Sequence, residues 1–225
     1  LDEPADIFDV NNEGNKEVIF DVQFESGVNG NSEGSRAFQK FSPSGTVSGA
    51  VGHNLPTKEV YGLFADNDKR KSAYFIVTKN GVIGTGKLKQ TSVTVADGGS
   101  NIIVLRYADV LLMLAECYAE KNNMPKSNEY LNYIKKRAGI DEVSLGDATL
   151  IKEEIALERR KELVNEGHRW FDLVRTGKAV EVMNAYFVRT PGYNGITISE
   201  LNYVQPIPQG QIDTDSATKQ NEGYN

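Results

Sequence analysis

Apolar and polar residues change their period midway along the chain, and the change divides it into two kinds of structure. Within Glu17–Glu25, Val18, Phe20, Val22 and Phe24 alternate with mainly polar residues, the period-two pattern of a half-buried strand. Tyr74–Val77 reads as a second strand. Asn80-Gly81, whose residues tolerate positive φ, predicts a hairpin turn into a return strand through Val82 and Ile83. From Val104 the spacing becomes helical, with Ala108, Leu111, Leu112, Ala115 and Ala119 forming one stripe. Asn122-Asn123 interrupts that stripe, and Pro125 stands at a first helical position. Tyr130, Leu131, Ile134 and Ala138 make the next stripe, which Gly139 stops. Two amphipathic helices joined by so short a turn pack as an antiparallel hairpin, in the manner of a tetratricopeptide repeat. Asp147 caps a third helix with Ile151, Ile155 and Leu163 facing inward, ended by Gly167. Shorter helices follow over Arg169–Thr176 and Lys178–Ala185.

Between these elements lie irregular stretches. Thr57 suits the N-cap of a short helix carrying Val60, Tyr61 and Phe64, and Asp66-Asn67-Asp68 reads as a turn after it. Ser26–Gly52, rich in Gly, Ser and Asn, predicts a long loop, and loops of that length in a compact domain are often functional. The tail from Tyr203 is punctuated by proline and reads as an extended strip that docks through Ile207 and Ile212. The fold class expected is mainly α, with a helical hairpin, long irregular loops and a small β-hairpin. The chain divides into a loop-rich region (1–100), a helical core (101–185) and an extended tail (186–225).

Composition narrows the function. A net charge of −6 and a pI near 5.1 disfavour a nucleic-acid partner, which calls for a basic face. The longest apolar run, Val110–Ala115, is six residues, too short to span a bilayer. The chain does not begin with Met and opens without a basic or apolar leader or a lipidation cysteine, so it reads as a processed or excised piece. The single cysteine, Cys117, excludes an intrachain disulfide and is expected as a small buried core residue.

The densest chemistry lies in Glu158–Gly177, ERRKELVNEGHRWFDLVRTG, which holds the only Trp and one of two His. Between Lys152 and Arg175 there are six acidic and six basic side chains. His168 and Asp172 share a helical face at a metal-compatible spacing, yet no third histidine is at hand. Glu158 and Glu162 also share a face, as paired carboxylates might in a glycosidase. Arg159, Arg160 and Arg169 stand ready to neutralise them, which defeats a general-acid role. No nucleophile-elbow, zinc-protease or phosphate-loop motif is present. The expectation is therefore no catalytic residue, metal or cofactor, with Trp170 as a core residue and Glu158–Gly177 as a latch between the helical hairpin and the tail.

Several stretches carry a family resemblance: NIIVLRYADVLLMLAECYAE (101–120), LNYIKKRAG (131–139), Glu158–Gly177, and the tail PIPQGQI followed by QNEGY. EVIFDVQF (17–24) and LFADNDKRKSAY (63–74) fit as well. In this order they resemble the SusD/RagB family, and specifically its C-terminal part, the N-terminal tetratricopeptide region and lipoprotein signal being absent from this chain. The resemblance implies a SusD-like α-helical fold and a surface-exposed outer-membrane lipoprotein of Bacteroidetes. It further implies non-catalytic binding of a glycan that is delivered to a TonB-dependent SusC-like transporter for nutrient uptake, with membrane attachment only through a lipid anchor missing here. The alternative is a protein-interaction module of that transporter complex without direct sugar contact. A pyranose stacks on aromatic rings and hydrogen-bonds to planar polar groups. The expected ligand-binding residues are Arg36, Phe38, Phe41, His53 and Tyr61, on or beside the long loop; otherwise these aromatics pin the loop to the body.

Overall fold

The structure is a computed structural model that describes residues 3–27, 33–89, 91–92, 94–215 and 217–224. It forms two compact units, Leu1–Gly167 and His168–Asn225.

The first unit is built on a three-helix core. The helix α4 (Tyr107–Glu120) and the helix α5 (Met124–Arg137) form the expected hairpin, and α6 (Ala148–Glu162) packs on both. Their buried residues are spaced by three and four: Ala108, Leu112, Ala115 and Ala119 on α4, Leu131 and Ile134 on α5, Ile151 and Ile155 on α6. Burying each Leu or Ile side chain contributes about 1.5–3 kcal/mol. Small residues let α4 and α5 approach closely enough for the buried Ser127 hydroxyl to donate to the Ala115 carbonyl at 2.7 Å.

The local signals act as their chemistry predicts. Asn122 takes a left-handed turn (φ 53°), Asn123 caps α5 by accepting from the Lys126 N–H, and Pro125 occupies its first turn. Gly139 ends α5 at φ 71°. Asp147 caps α6 by accepting from the N–H groups of Thr149 and Leu150. The connector between α5 and α6 is held by two side-chain amides. Asn128 donates to the Leu145 carbonyl at 2.8 Å and accepts from its N–H at 2.9 Å, and Asn132 holds Val143 the same way.

Short elements flank this core: α1 (Ala37–Phe41), α2 (Lys58–Tyr61) and α3 (Lys69–Tyr74). Thr57 caps α2 as expected, while Asp66-Asn67-Asp68 ends as the cap of a helix that the turn reading missed, with Asp68 accepting from the Arg70 N–H. Strands β2 (Phe75–Val77) and β3 (Ile83–Thr85) pair as the expected antiparallel hairpin, with Tyr74 belonging to α3 instead. In its turn only Gly81 has positive φ (74°). Phe64, Tyr74, Phe75 and Ile83 make a second core cluster.

Strand β1 (Val18–Val22) pairs antiparallel with β4 (Ile102–Arg106). The helix read from Val104 therefore begins at Tyr107. Ile102, Ile103 and Val104 are β-branched and extend as a strand before the helical period takes hold. Register shifts on either side of Phe20 break the alternation expected for β1, leaving Phe20 at 54 % and Val22 at 42 % exposure. Cys117 is exposed rather than buried, because it lies on the face of α4 opposite Ala115 and Ala119.

In the second unit, α7 (His168–Arg175) is followed by α8 (Ala179–Arg189), with Gly177 between them at φ 68°. The tail is less extended than expected, since it folds a short helix α9 (Gln209–Thr214). Ile207 and Ile212 are half-buried, and Gln220 clamps Ile207 through both its N–H and its carbonyl at 2.7 and 2.9 Å.

A buried charge cluster and a candidate ligand-binding loop

The loop residues expected to meet a ligand are positioned from α1. Arg36 is the exposed N-cap of that helix, and Phe38 and Phe41 are half-buried three residues apart on it, so they share a face. The loop returns to α1 through hydrogen bonds from the Val51 and Asn54 N–H groups to the Gln39 and Lys40 carbonyls. These bonds hold the exposed His53 beside the helix. Where the loop begins, Asp97 accepts from the N–H groups of Gly27 and Gly34 at 3.0 and 2.9 Å. Gly34 approaches so closely that a Cβ there would lie 2.3 Å from an Asp97 oxygen. Residues 28–32 of the predicted loop lie outside the described residues.

Tyr61 goes elsewhere. It sits on α2, half-buried, edge-on to Phe75 at 5.3 Å between ring centroids, with the Lys71 ammonium 5.2 Å over its ring. The structure thus gathers Arg36, Phe38, Phe41 and His53 in one segment and places Tyr61 against the second core cluster.

The densest chemistry in the first unit is a buried charge cluster. Glu158 and Glu162 on α6 are fully buried, but Arg159 and Arg160 do not neutralise them: Arg159 pairs with Asp109 and Arg160 with Glu59. Lys161, three residues on, lies 3.6 Å from Glu158, and the other partners arrive from distant segments. Arg70 reaches Glu158 at 2.5 Å and Glu162 at 2.9 Å while gripping Asp68 with two further bonds of 2.9 Å. Arg106 holds Glu166 bidentately at 2.6 and 2.8 Å and Glu162 at 2.7 Å. Arg137 bridges Glu162 at 2.5 Å to Glu17 at 2.9 Å. Lys87 donates to Glu166 at 2.5 Å and to the Glu162 carbonyl at 2.8 Å, with its ammonium 3.8 Å over the Tyr74 ring. The Tyr74 hydroxyl completes the set by donating to Glu162 at 2.9 Å.

Such charges survive burial only when every one is paired. Burial by itself would raise the Glu162 carboxyl, but Arg106, Arg137, Arg70 and Lys87 outweigh it and hold the group well below the usual carboxylate range. Glu166 is lowered likewise, against its burial, by Arg106 and Lys87. Burial pushes the Lys87 ammonium down to about 8, against the pull of Glu166. Carboxylates held ionised in this way cannot donate a proton near neutral pH, so neither Glu162 nor Glu166 serves as a general acid.

The sequence reading missed Arg70, Lys87, Arg106, Arg137 and Glu17. A signal existed for one of them: Arg106 interrupts the run IIVLRYADVL, where a cation needs a buried partner. Beside the cluster a shallow recess is lined by Phe8, Asp9, Glu13, Asp21, Lys87 and Asn101 among others. Its polar groups are engaged, since Asn101 donates to Asp21 and Glu13 and accepts from the Phe24 N–H.

In the second unit Trp170 is half-buried, edge-on to Tyr203 at 6.2 Å, and is not the fully enclosed core residue expected. Asp172 pairs with Arg175 at 2.9 Å, which gives the residue near His168 a local cation and no metal-like company. Among the described residues no group of three His, Cys, Asp or Glu side chains is arranged to hold a metal ion. The latch reading of Glu158–Gly177 changes accordingly. Its first half is tied within the first unit, to Arg70, Lys87, Arg106 and Arg137 and through them to Glu17.

Comparison with known proteins follows this geometry. The pattern of the SusD family matches residues 65–224. SusD-like protein P38 of Formosa agariphila is 32 % identical over 139 residues, 58 % of this chain and 28 % of that protein. SusD-like protein P25 of the same organism is 26 % identical across 98 % of this chain and 51 % of its own length. Surface glycan-binding protein A from Bacteroides thetaiotaomicron, solved in complex with laminarihexaose, superposes with a TM-score of 0.77 at 26 % identity, covering 98 % of this chain and 55 % of the other. The chain spans about half the length of P25 and of that surface protein, and less of P38. With the helical hairpin, the tail and every member of the charge cluster but Glu17 falling inside the matched segment, this chain belongs to the SusD family.

Proposed function

We propose that this chain is part of a non-catalytic glycan-binding protein that captures an oligosaccharide or polysaccharide at the cell surface. It passes the ligand to a TonB-dependent, SusC-like transporter in the outer membrane, and a lipid anchor attaches the full-length protein there. The observation that carries this reading is the family membership, joined to a relative of the same fold solved with laminarihexaose. The ionised state of the buried carboxylates agrees with a binding rather than a hydrolytic role. No helix among the described residues is long and apolar enough to cross a membrane.

In this reading Phe38 and Phe41 stack on sugar rings while Arg36 and His53 bond to hydroxyls. Tyr61 offers the part of its ring not taken by Phe75 and Lys71. Calorimetry and affinity gels on the full-length protein test it. Binding to at least one polysaccharide is expected, weakened about tenfold by Phe38→Ala or Phe41→Ala. Retention by no polysaccharide would overturn the reading.

A second reading, a protein-contact module of the transporter complex, is favoured by one observation. Ile19 and Phe20 on β1 and Leu105 on β4 are 44–55 % exposed, apolar surface suited to a protein partner. If Phe20→Glu releases the transporter while glycan affinity holds, that contact exists beside the binding role. A transporter complex that forms and supports uptake without any glycan affinity would put the second reading first.

A further inference from the structure

The segment Asn184–Ile198 of the second unit gathers three aromatic rings outside the loop considered above. Tyr186 and Phe187 stand near the end of α8 and Tyr193 in the loop after it, with ring centroids 5.5–6.0 Å apart. Phe187 and Tyr193 lie within 18° of parallel, and the Arg189 guanidinium sits 5.5 Å from the centre of the Tyr186 ring.

Two observations separate this cluster from ordinary packing. Tyr193 is 41 % exposed and Tyr186 and Phe187 are only half-buried, so the rings enclose no core. The loop, moreover, is fixed by other means. Asn184 donates to the Ile198 carbonyl at 2.9 Å and accepts from its N–H at 2.8 Å, while Gly192 and Gly195 supply turns at φ 90° and 83°. Loop closure therefore does not depend on the rings. What they add is a partly wet aromatic surface, two near-parallel rings with Tyr186 inclined to both by 58–64° and a guanidinium beside Tyr186. An apolar sugar face stacks on such a surface, and a planar cation beside it donates to hydroxyls.

We propose that Phe187 and Tyr193, with Tyr186 and Arg189 at their edge, form a stacking platform for a pyranose ring. It is a glycan contact on a different unit from the Arg36–His53 segment. This rests on the glycan-binding reading above and adds a second place of contact to it.

The test starts from retardation of the full-length protein in gels containing laminarin, xylan, mannan, starch, pectin or alginate. Calorimetry then follows with a hexasaccharide of the retarding glycan on wild type, Phe187→Ala, Tyr193→Phe and Tyr193→Leu. Tyr193→Phe keeps the ring and is expected to bind within about twofold of wild type. Tyr193→Leu keeps apolar packing without the ring, and it and Phe187→Ala are expected to weaken binding about tenfold. The Phe and Leu variants at position 193 are compared at matched melting temperature, which separates loss of stacking from loss of fold. Undiminished binding by Tyr193→Leu would overturn the platform and leave the glycan-binding reading standing. Retardation by none of the six polysaccharides would overturn both.

Discussion

The two halves of Glu158–Gly177 both mix acidic and basic residues, six in the first ten positions and three in the last ten, and they meet their counter-charges at different distances. On α6 and just after it, Glu158, Glu162 and Glu166 are buried among cations drawn from positions 70, 87, 106 and 137. On α7, the buried Asp172 pairs with a neighbour three residues on, Arg175, whose side chain is 43 % exposed. Charge in the sequence thus does not say whether a carboxylate is met by a neighbour or by a distant cation. The supply of distant partners decides it. A buried carboxylate with three guanidiniums is costly to assemble and costlier to break, whereas a pair to a half-exposed neighbour is worth less.

That contrast can be broken most forcefully at Glu162. Glu162→Gln leaves Arg70, Arg106 and Arg137 short of a shared counter-charge, and should cost about 3–5 kcal/mol, read by denaturant unfolding. For a chain of this size that is roughly 10 °C in melting temperature. A variant as stable as wild type would make the cluster incidental. The same carboxylates set an acid limit. Unfolded Glu titrates near 4.3, and the folded Glu162 and Glu166 lie below that value. Their contribution is complete above about pH 4.3 and lost as the pH falls through the folded values. Glu162→Gln should flatten that acid slope in a pH series of unfolding curves.

Smaller effects belong to the second half. Trp170→Ala should cost about 1–3 kcal/mol, less than for a fully buried ring, because Trp170 is half-buried against Tyr203. A loss as large as that of Glu162→Gln would erase the contrast. Asp172→Asn, which keeps the side chain's size and removes its charge opposite the half-exposed Arg175, should cost about 1 kcal/mol, less than Glu162→Gln.

Local chemistry was readable wherever it acts within a few residues. Thr57, Asn122, Pro125, Gly139 and Asp147 mark helix ends because capping and left-handed turns depend on the residue itself. The helical hairpin followed from one stripe meeting another. The β1–β4 pairing was not readable, since Ile102–Leu105 merges with the apolar stripe of α4 and its partner lies some 80 residues earlier. The charge cluster was hidden for the same reason: Arg137 meets Glu17 across 120 residues, and no local period encodes that. Of the ligand-binding loop, the sequence offered the residue types, and only the fold separated Tyr61 from the other four.

The amide clamps have a consequence for how this chain can vary. Asn128, Asn132, Asn184 and Gln220 each seize both backbone groups of one distant residue, doing with a side chain what a neighbouring strand would do. A connector pinned at single points can lengthen between its pins without disturbing the helices at either end. Insertions placed between Ile198 and Ile207 should therefore be absorbed as bulging loops. One residue added between Val143 and Leu145 should not, because it would force Asn128 and Asn132, one helical turn apart, to read a spacing they no longer match.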